Sequence, residues 1–322
     1  GRWNDVVVFV PMTVPGDVVD VQIRCKRRRY MVGYVVRYVH KSPKRAEPFC
    51  EHFGVCGGCK WQNLPYDEQL AFKTDQVRDQ LTRIGKIELP EIAPCLGSAQ
   101  TRFYRNKLEF TFADRRWLTR EEIAADAKIE AGPAAGFHIP DMFDKVLDIR
   151  LCWLQPEPSN AIRLETKRFC IEHGYTFHNA REHTGLMRNM TVRTASTGEV
   201  MVIVVFGSDD RPRITALLDH LVVKFPEITS LFYIVNTKFN DSTADLDPVL
   251  YHGKDHIVEG MEGLHFKVGP KSFYQTNSAQ AYELYKVARE FAELKPDEVL
   301  YDLYTGTGTI ANFCAARCAR VV

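Results

Sequence analysis

The stretch DEVLYDLYTGTGTIANFCAARCARVV, residues 297–322, contains a strand, a turn and a helix, followed by the start of a second strand. An apolar run ends at Asp302, a glycine-rich turn follows, a helix is predicted to begin near Thr309, and a new apolar run begins at Arg320. This order is typical of a β-α unit in an α/β sheet. One unit cannot form an open parallel sheet, so we expect the chain to be a fragment whose sheet continues beyond Val322.

The glycine turn is a candidate ligand site. Gly306 and Gly308 let the backbone approach a ligand closely, and the N-terminus of the following helix points its amides at that ligand. The letters GTGTIA also match the dinucleotide fingerprint G-x-G-x-x-A, although the acidic residue expected after the next strand would lie beyond Val322. The turn alone leaves NAD and S-adenosyl-L-methionine open; Asp302 at the strand end favours S-adenosyl-L-methionine.

A second polar segment, KSFYQTN (residues 271–277), precedes an amphipathic pattern that predicts a helix over residues 278–294, capped by Ser278. An aromatic ring and two amides before a helix could contact a cofactor. The alternative is structural: Phe273 in the core, Gln275 on the surface and Asn277 in a turn. The residues alone leave both interpretations open.

Length and composition exclude several classes of protein. A chain of 322 residues can form several domains, and the longest apolar run, residues 200–206, is far shorter than the roughly 20 residues that span a bilayer. No secretory signal opens the chain, so we expect a cytoplasmic protein that does not enter the membrane. Thiols stay reduced in that compartment, so disulfides are not expected among its nine cysteines.

The N-terminal part is predicted to be β-rich and basic. Strands are expected over residues 6–10, 17–26 and 30–41, which favours a small barrel of oligonucleotide-binding type. Residues 1–47 contain ten Lys and Arg against four Asp and Glu. This charge indicates either a nucleic-acid surface or an ordinary solvated face.

The middle of the chain mixes helices and strands. A helix is expected over residues 66–85 with Asp67 as N-cap and Gly85 as C-cap. A hairpin turning at residues 196–198, a helix over residues 211–225 and a strand over residues 228–238 then predict an antiparallel α+β domain.

The segment CEHFGVCGGCK places Cys50, Cys56 and Cys59 in the spacing C-x5-C-x2-C. This spacing differs from the C-x3-C-x2-C motif of radical S-adenosylmethionine enzymes. Three thiolates in a glycine-rich loop suit a metal, and the spacing alone does not separate zinc from an iron–sulfur cluster. A fourth ligand would come from elsewhere, and Cys152, Cys95 and Cys170 are the candidates.

Several motifs together resemble one family. FYQTN, followed by DLYTGTGT, resembles the F-x-Q-x-N and D-L-[YF]-x-G-x-G pair of the RNA (uracil-5-)-methyltransferases. CEHFGVCGGCKWQ resembles the iron–sulfur motif of the branch that acts on 23S ribosomal RNA, and FVPMTVPGD resembles that branch's TRAM domain with its first strand missing. YRNKLEF and GFHIPDMFDKVLDIRLC also fit the branch, and the resemblance covers essentially the whole chain.

The resemblance implies a multidomain fold. Residues 1–47 would form an OB-like TRAM β-barrel, and residues 48–66 with 102–260 a central α+β iron–sulfur domain. Residues 67–101 with 261–322 would begin a Rossmann-like α/β methyltransferase domain. A [4Fe-4S] cluster, structural or RNA-binding, would be held by Cys50, Cys56, Cys59 and Cys152. S-adenosyl-L-methionine would be held by Phe273, Gln275, Asn277, Asp302, Tyr304, Gly306, Gly308 and Thr309.

The implied activity is C5-methylation of a flipped-out uridine in 23S rRNA, by a cysteine that adds to C6 and a glutamate base. Both residues would lie beyond Val322, so we name no catalytic residue, expect residues 1–322 alone to be inactive, and assign Cys314 and Cys318 to core packing. We expect a monomer. Phe103 and Tyr104 could stack on bases, and core packing is the alternative for Tyr104 and Phe110. Phosphate contacts are expected from Lys26, Arg27, Arg28, Arg29, Arg102, Arg105 and Lys107. The alternatives are a methyltransferase for the T-loop of tRNA and a non-catalytic RNA-binding iron–sulfur protein.

Overall fold

The computed structural model describes residues 1–125, 129 and 131–322. The chain divides into the compact units Gly1–Ser98 and Ala99–Val322, which are described separately. The domain boundaries given above stay a prediction.

The unit Gly1–Ser98 contains the strands β1 (Arg2–Trp3), β2 (Val6–Phe9), β3 (Val18–Lys26) and β4 (Tyr30–His40). They form a sheet in the order β1-β2-β4-β3, in which β2 and β4 are parallel and the other neighbours antiparallel. The predicted positions of β2, β3 and β4 are therefore confirmed.

A nearly buried carboxylate ties this sheet to the segment that follows it. The side chain of Asp17 is 1% exposed and accepts hydrogen bonds from the Arg45 guanidinium at 2.7 and 2.9 Å. It also accepts from the amides of Val14 and Ser42, at 2.8 and 2.9 Å. Burial raises the pKa of Asp17, but the hydrogen bonds from Arg45, Ser42 and Val14 outweigh burial and lower the pKa to about 2.

Replacing Asp17 with asparagine is expected to lower the free energy of unfolding of this unit by on the order of 2 kcal/mol at pH 7. Because the folded-state pKa lies below the ordinary value of 3.8, the stabilisation is complete above pH 4 and is lost as the pH falls toward 2. Hydrogen exchange of residues 1–98, measured against pH, checks this. Asp20→Asn removes an exposed pair with Arg37 and should change stability by less than about 0.5 kcal/mol. Equal effects of the two substitutions would contradict the prediction.

The helix α1 (Tyr66–Asp79) continues into a π-helical turn over Gln80–Ile84 and ends at Gly85, as predicted. The prediction of Asp67 as N-cap is wrong. Pro65 occupies the cap position with an extended backbone, so the helix begins directly after it and Asp67 lies in the first turn. A carboxylate there stabilises the positive end of the helix dipole.

The unit Ala99–Val322 is built around a mixed sheet in the order β11-β10-β9-β8-β5-β6-β7. Its strands are β5 (Lys107–Ala113), β6 (Ala134–His138), β7 (Val146–Asp148), β8 (Met187–Thr194), β9 (Val200–Phe206), β10 (Ile228–Val235) and β11 (Val249–Gly253). The helices α2 (Arg120–Ala124), α3 (Ser159–Glu172) and α4 (Arg211–Lys224) lie between these strands in the sequence.

The sheet confirms the predicted elements and corrects their pairing. β8 and β9 form the predicted antiparallel hairpin, and Gly198 in its turn has φ +85°. β9 and β10 pair in parallel, so the prediction of a purely antiparallel domain is wrong. The reason is that α4 carries the chain back between these strands, which is how parallel neighbours are connected. Every residue of β9 is buried, as expected for a strand covered on both faces.

The C-terminal part contains the antiparallel pair β12 (Ile257–Met261) and β13 (Leu264–Val268), then α5 (Ser278–Phe291), β14 (Val299–Leu300), α6 (Thr309–Cys314) and β15 (Arg320–Val321), with a 3₁₀ turn before β15. β14 and β15 pair in parallel, which confirms the predicted β-α unit. The predicted cap of α5 is off by one residue, because Asn277 occupies the N-cap and accepts from the amide of Gln280 at 3.0 Å.

Within the described residues, no helix is both long and apolar enough to cross a membrane.

Candidate functional site

The side chain of Asp302 stabilises the glycine turn that follows β14. Its carboxylate accepts hydrogen bonds from the Thr305 hydroxyl and the Ala311 amide, both at 3.0 Å. Gly306 and Gly308 have φ +58° and +71°, and Gly308 is the N-cap of α6. The shape of the turn therefore depends on backbone conformations that glycine adopts without strain.

The predicted cofactor residues of this turn differ in exposure. Tyr304 is fully exposed with φ +64°, whereas Thr309 is buried and its hydroxyl lies 2.8 Å from that of Thr307. A Cβ added to Gly306 would meet only the Tyr304 carbonyl oxygen, at 3.9 Å. The outer side of the turn is thus open enough for a ligand to approach the backbone, which fits a nucleoside cofactor.

The segment FYQTN is clamped through its backbone. Asn106, directly before β5, donates its side-chain amide to the Gln275 carbonyl oxygen and to the Ser278 hydroxyl, both at 2.8 Å. The Asn106 backbone amide donates to the Thr276 carbonyl oxygen at 2.7 Å. Phe273 is 73% exposed and Gln275 is exposed too, so the core interpretation of Phe273 is wrong. The clamp fixes the backbone and leaves both side chains at the surface.

A buried carboxylate lies behind this clamp. Glu259 is 2% exposed, and its oxygens accept from the Ser196 amide at 3.3 Å. Burial raises the pKa of Glu259, while hydrogen bonds from Ser196 and Ser278 act in the opposite direction. Glu259 and Asn106 therefore both form hydrogen bonds with the side chain of Ser278, the first residue of α5.

The FYQTN segment and the glycine turn rest on one apolar cluster. Tyr274 of the segment packs in the same cluster as Ala281 and Tyr285 of α5 and Phe313 and Cys314 of α6. Cys314 is 3% exposed, which agrees with its predicted role in core packing.

The predicted RNA-binding residues fall in both units. Lys26 ends β3 and Arg27, Arg28 and Arg29 form the exposed connection to β4. In the other unit, Arg102 lies over the Trp153 ring at 5.3 Å, and Phe103, 38% exposed, packs against the same ring. Arg105 and Lys107 are half-buried, as is Tyr104, and Phe110 is fully buried in the core.

The predicted metal ligands are also distributed over both units. Cys50, Cys56 and Cys59 lie in a turn-rich loop of Gly1–Ser98, where Gly54 has φ +91° and the Gly58 amide donates to Cys56 Sγ at 3.3 Å. Burial raises the pKa of the Cys50 thiol, and the neighbouring Cys59 acts in the same direction.

Cys152 is buried in Ala99–Val322, with its backbone held by the Asn160 side chain at 2.8 and 3.1 Å. Throughout residues 1–125, 129 and 131–322, no group of three or more His, Cys, Asp or Glu is gathered so that it could hold a metal ion. The cluster therefore stays a prediction.

Some residues at this site were missed by the sequence reasoning. Asn106 and Glu259 acquire their roles from contacts with residues far along the chain. Asn106 lies in the motif YRNKLEF, between Arg105 and Lys107, but that motif gave it no role of its own.

Comparison with known proteins places the chain in a family, although no protein-family model matches it. The chain is 57% identical over 324 residues to an uncharacterized RNA methyltransferase of Bacteroides thetaiotaomicron, covering 100% of this chain and 71% of the relative. It is 54% identical to another from Porphyromonas gingivalis, covering 70% of that relative.

Among solved structures, the chain is similar to the Pyrococcus abyssi tRNA (uracil-54, C5)-methyltransferase in complex with S-adenosyl-L-homocysteine. The TM-score is 0.68 at 25% identity, over 96% of this chain and 66% of that one. The fold, the clamped segment, the glycine turn and these relatives agree: the chain belongs to the RNA methyltransferase family.

Proposed function

We propose that the protein is part of an enzyme that methylates C5 of a uridine in RNA, with S-adenosyl-L-methionine as the methyl donor. The observation that carries the proposal is the clamped FYQTN segment, which presents Phe273 and Gln275 at the surface on the same core as the glycine turn. The similar Pyrococcus abyssi enzyme acts on a tRNA uracil at C5 and was solved with S-adenosyl-L-homocysteine.

The residues proposed to hold the cofactor are Gln275, Phe273 and Asn277 on one segment and Asp302, Tyr304, Gly306, Gly308 and Thr309 on the other. When bound, S-adenosyl-L-methionine supplies an electrophilic methyl group. Asp302 shapes the turn, since its Oδ2 atom accepts hydrogen bonds from Thr305 and Ala311. Among these residues, Phe273, Gln275, Tyr304 and the open side of Gly306 are exposed and accessible to the cofactor.

The target uridine is proposed to lie in 23S rRNA, on the strength of the cysteine motif and the basic β-rich N-terminal unit, which we propose to be a TRAM domain. The second candidate is a tRNA uridine, which the similarity to the Pyrococcus abyssi enzyme favours. We also propose that the reaction proceeds through addition of a cysteine to C6 of the uridine. We further propose a monomeric cytoplasmic enzyme.

Mapping 5-methyluridine in ribosomal and transfer RNA from a strain that lacks the gene decides between these targets. Loss of one modified position in 23S rRNA supports the first, loss of a tRNA position supports the second, and no loss in either RNA contradicts the proposed function.

The proposal also includes a [4Fe-4S] cluster, which the cysteine motif supports. If Cys50, Cys56, Cys59 and Cys152 hold iron, protein purified without oxygen should be brown, with broad absorbance at about 400 nm. Cys152→Ser should remove the colour, whereas Cys170→Ser, at a fully buried thiol, is the matched control. Colourless protein with stoichiometric zinc would rule the cluster out.

Asn106→Ala tests the clamp. Losing the hydrogen bonds to Gln275 and Ser278 should weaken binding of S-adenosyl-L-homocysteine by up to about 30-fold, since hydrogen bonds contribute about 1 kcal/mol each. Isothermal titration calorimetry measures this. Asn179→Ala is the control, because that side chain donates to Asp114 at 3.0 Å in a different part of the unit. Unchanged affinity in Asn106→Ala would show that the clamp does not serve the cofactor.

A further inference from the structure

One face of the mixed sheet forms the floor of a cavity of about 610 Å³ within Ala99–Val322. Alternate residues of β5, β8, β9 and β10 line the floor, and the loops 241–248 and 270–276 form the walls. The second loop includes Phe273, so the cavity lies beside the segment proposed to bind the cofactor.

Two cations face each other across this floor. Lys107 of β5 is directly opposite Arg193 of β8 in the antiparallel register, and both line the cavity. Like charges in directly opposite positions destabilise a sheet. Burial lowers the pKa of Lys107, and Arg193 and Arg105 lower it further, while Glu109 acts in the opposite direction.

Arg193 is 6% exposed, and among the described residues no carboxylate forms an ion pair with it. Nη2 donates to the Ser272 carbonyl oxygen at 2.8 Å, and Nε is buried without an acceptor among the described residues. Burial alone lowers the pKa of Arg193. Buried charges in proteins are normally paired, because desolvating an unpaired ion costs several kcal/mol.

The carboxylates that line the cavity do not supply the missing charge. Asp241 forms an ion pair with Arg188 at 2.7 Å. Glu109 lines the cavity and is exposed; it raises the pKa of Lys107 but, in the part of the chain that is described, forms no ion pair with Lys107 or Arg193. The floor therefore carries a positive charge that an anionic ligand would neutralise.

We propose that Lys107 and Arg193 form a subsite for a backbone phosphate of RNA, next to the base that the enzyme modifies. This rests on the proposed function. Phosphate-binding cations beside an exposed aromatic ring are typical of proteins that bind single-stranded nucleic acid, and Phe273 supplies such a ring in the same cavity. The carboxylate of the cofactor is the competing anion, and the experiment separates the two.

The test uses Lys107→Gln in the 322-residue chain, with binding of a short single-stranded RNA followed by fluorescence anisotropy at several salt concentrations. The variant should bind about tenfold more weakly, and the slope of log K against log salt should fall by about 0.7, as for one lost phosphate contact. Lys107→Arg keeps the positive charge and should therefore keep the wild-type affinity and the wild-type salt slope. Glu109→Gln, which removes a negative charge from the same strand, should bind more tightly than the wild type.

Lys224→Gln, at the exposed end of α4, is the matched control and should change neither quantity. Affinity for S-adenosyl-L-homocysteine should stay unchanged in Lys107→Gln. If instead that affinity falls and RNA binding does not, the anion is the cofactor's carboxylate and the subsite is overturned. Unchanged RNA affinity and slope in Lys107→Gln overturn it too and leave the methyltransferase proposal intact. A wild-type chain that binds no RNA overturns both.

Discussion

Replacing Gly308 with valine is expected to weaken binding of S-adenosyl-L-homocysteine by at least about tenfold. Gly308 has φ +71°, and an added Cβ would lie 3.0 Å from the side-chain nitrogen of Asn312. A residue with a Cβ costs roughly 1–2 kcal/mol in the left-handed region, and valine is branched there as well. Because Gly308 is the N-cap of α6, the strain would displace the backbone proposed to contact the cofactor.

The control for this substitution is Gly198→Val in the β8–β9 hairpin. Gly198 has φ +85° and a Cβ there would meet nothing within 4 Å, so the backbone strain is comparable while the glycine turn is untouched. Calorimetric titration should show near wild-type affinity for Gly198→Val. If Gly308→Val bound the cofactor as tightly as the control does, the glycine turn would not be the cofactor site.

Replacing Arg163 with methionine is expected to lower the free energy of unfolding of Ala99–Val322 by about 3 kcal/mol. Arg163 is fully buried on α3 and donates to the carbonyl oxygens of Ala135, Ile149 and Arg150, with the Phe110 ring 5.3 Å away. Burial lowers the pKa of Arg163 to about 10, so the group is still charged at pH 7. Methionine fills similar volume but leaves those carbonyl oxygens without their donor.

Arg168→Met on the same helix is the matched control. The Arg168 side chain is half exposed and pairs with Glu165, which is largely buried, and with the exposed Glu172, so its loss leaves no buried carbonyl oxygen without a donor. In urea unfolding, the midpoint of Arg163→Met should therefore lie clearly below that of Arg168→Met. Similar midpoints would mean that the carbonyl contacts of Arg163 do not stabilise the unit.

The sequence predicted the elements better than their pairing. Strand and helix positions follow from local periodicity, as in the hairpin turning at residues 196–198. Whether β10 joins β9 in parallel depends on the path of α4, which a periodicity does not encode. The helix caps were misplaced by one or two residues, because Asn277 and Pro65 have the extended backbone that a cap needs.

The candidate site likewise has features that are local in sequence and features that depend on tertiary structure. The FYQTN segment and the glycine turn could be predicted as a cofactor site because each motif is local in sequence. Asn106 was missed because its partner Gln275 is 169 residues away, and Arg193 was missed because its environment is set by strand register. The cysteine pattern predicted a ligand set, yet bringing Cys152 to the loop is a question of tertiary structure that spacing does not answer.

Asn106 and Lys107 are consecutive residues, so the group that clamps the Gln275 backbone and the group proposed to bind phosphate share a peptide bond. Because these two residues are neighbours, binding of the cofactor is expected to alter the affinity for RNA, and binding of RNA the affinity for the cofactor. Thermodynamic linkage requires the effect to be mutual: if RNA strengthens cofactor binding by some factor, the cofactor strengthens RNA binding by the same factor. The N-terminal end of β5 would then let the enzyme distinguish its cofactor-bound state from its cofactor-free state before it binds RNA.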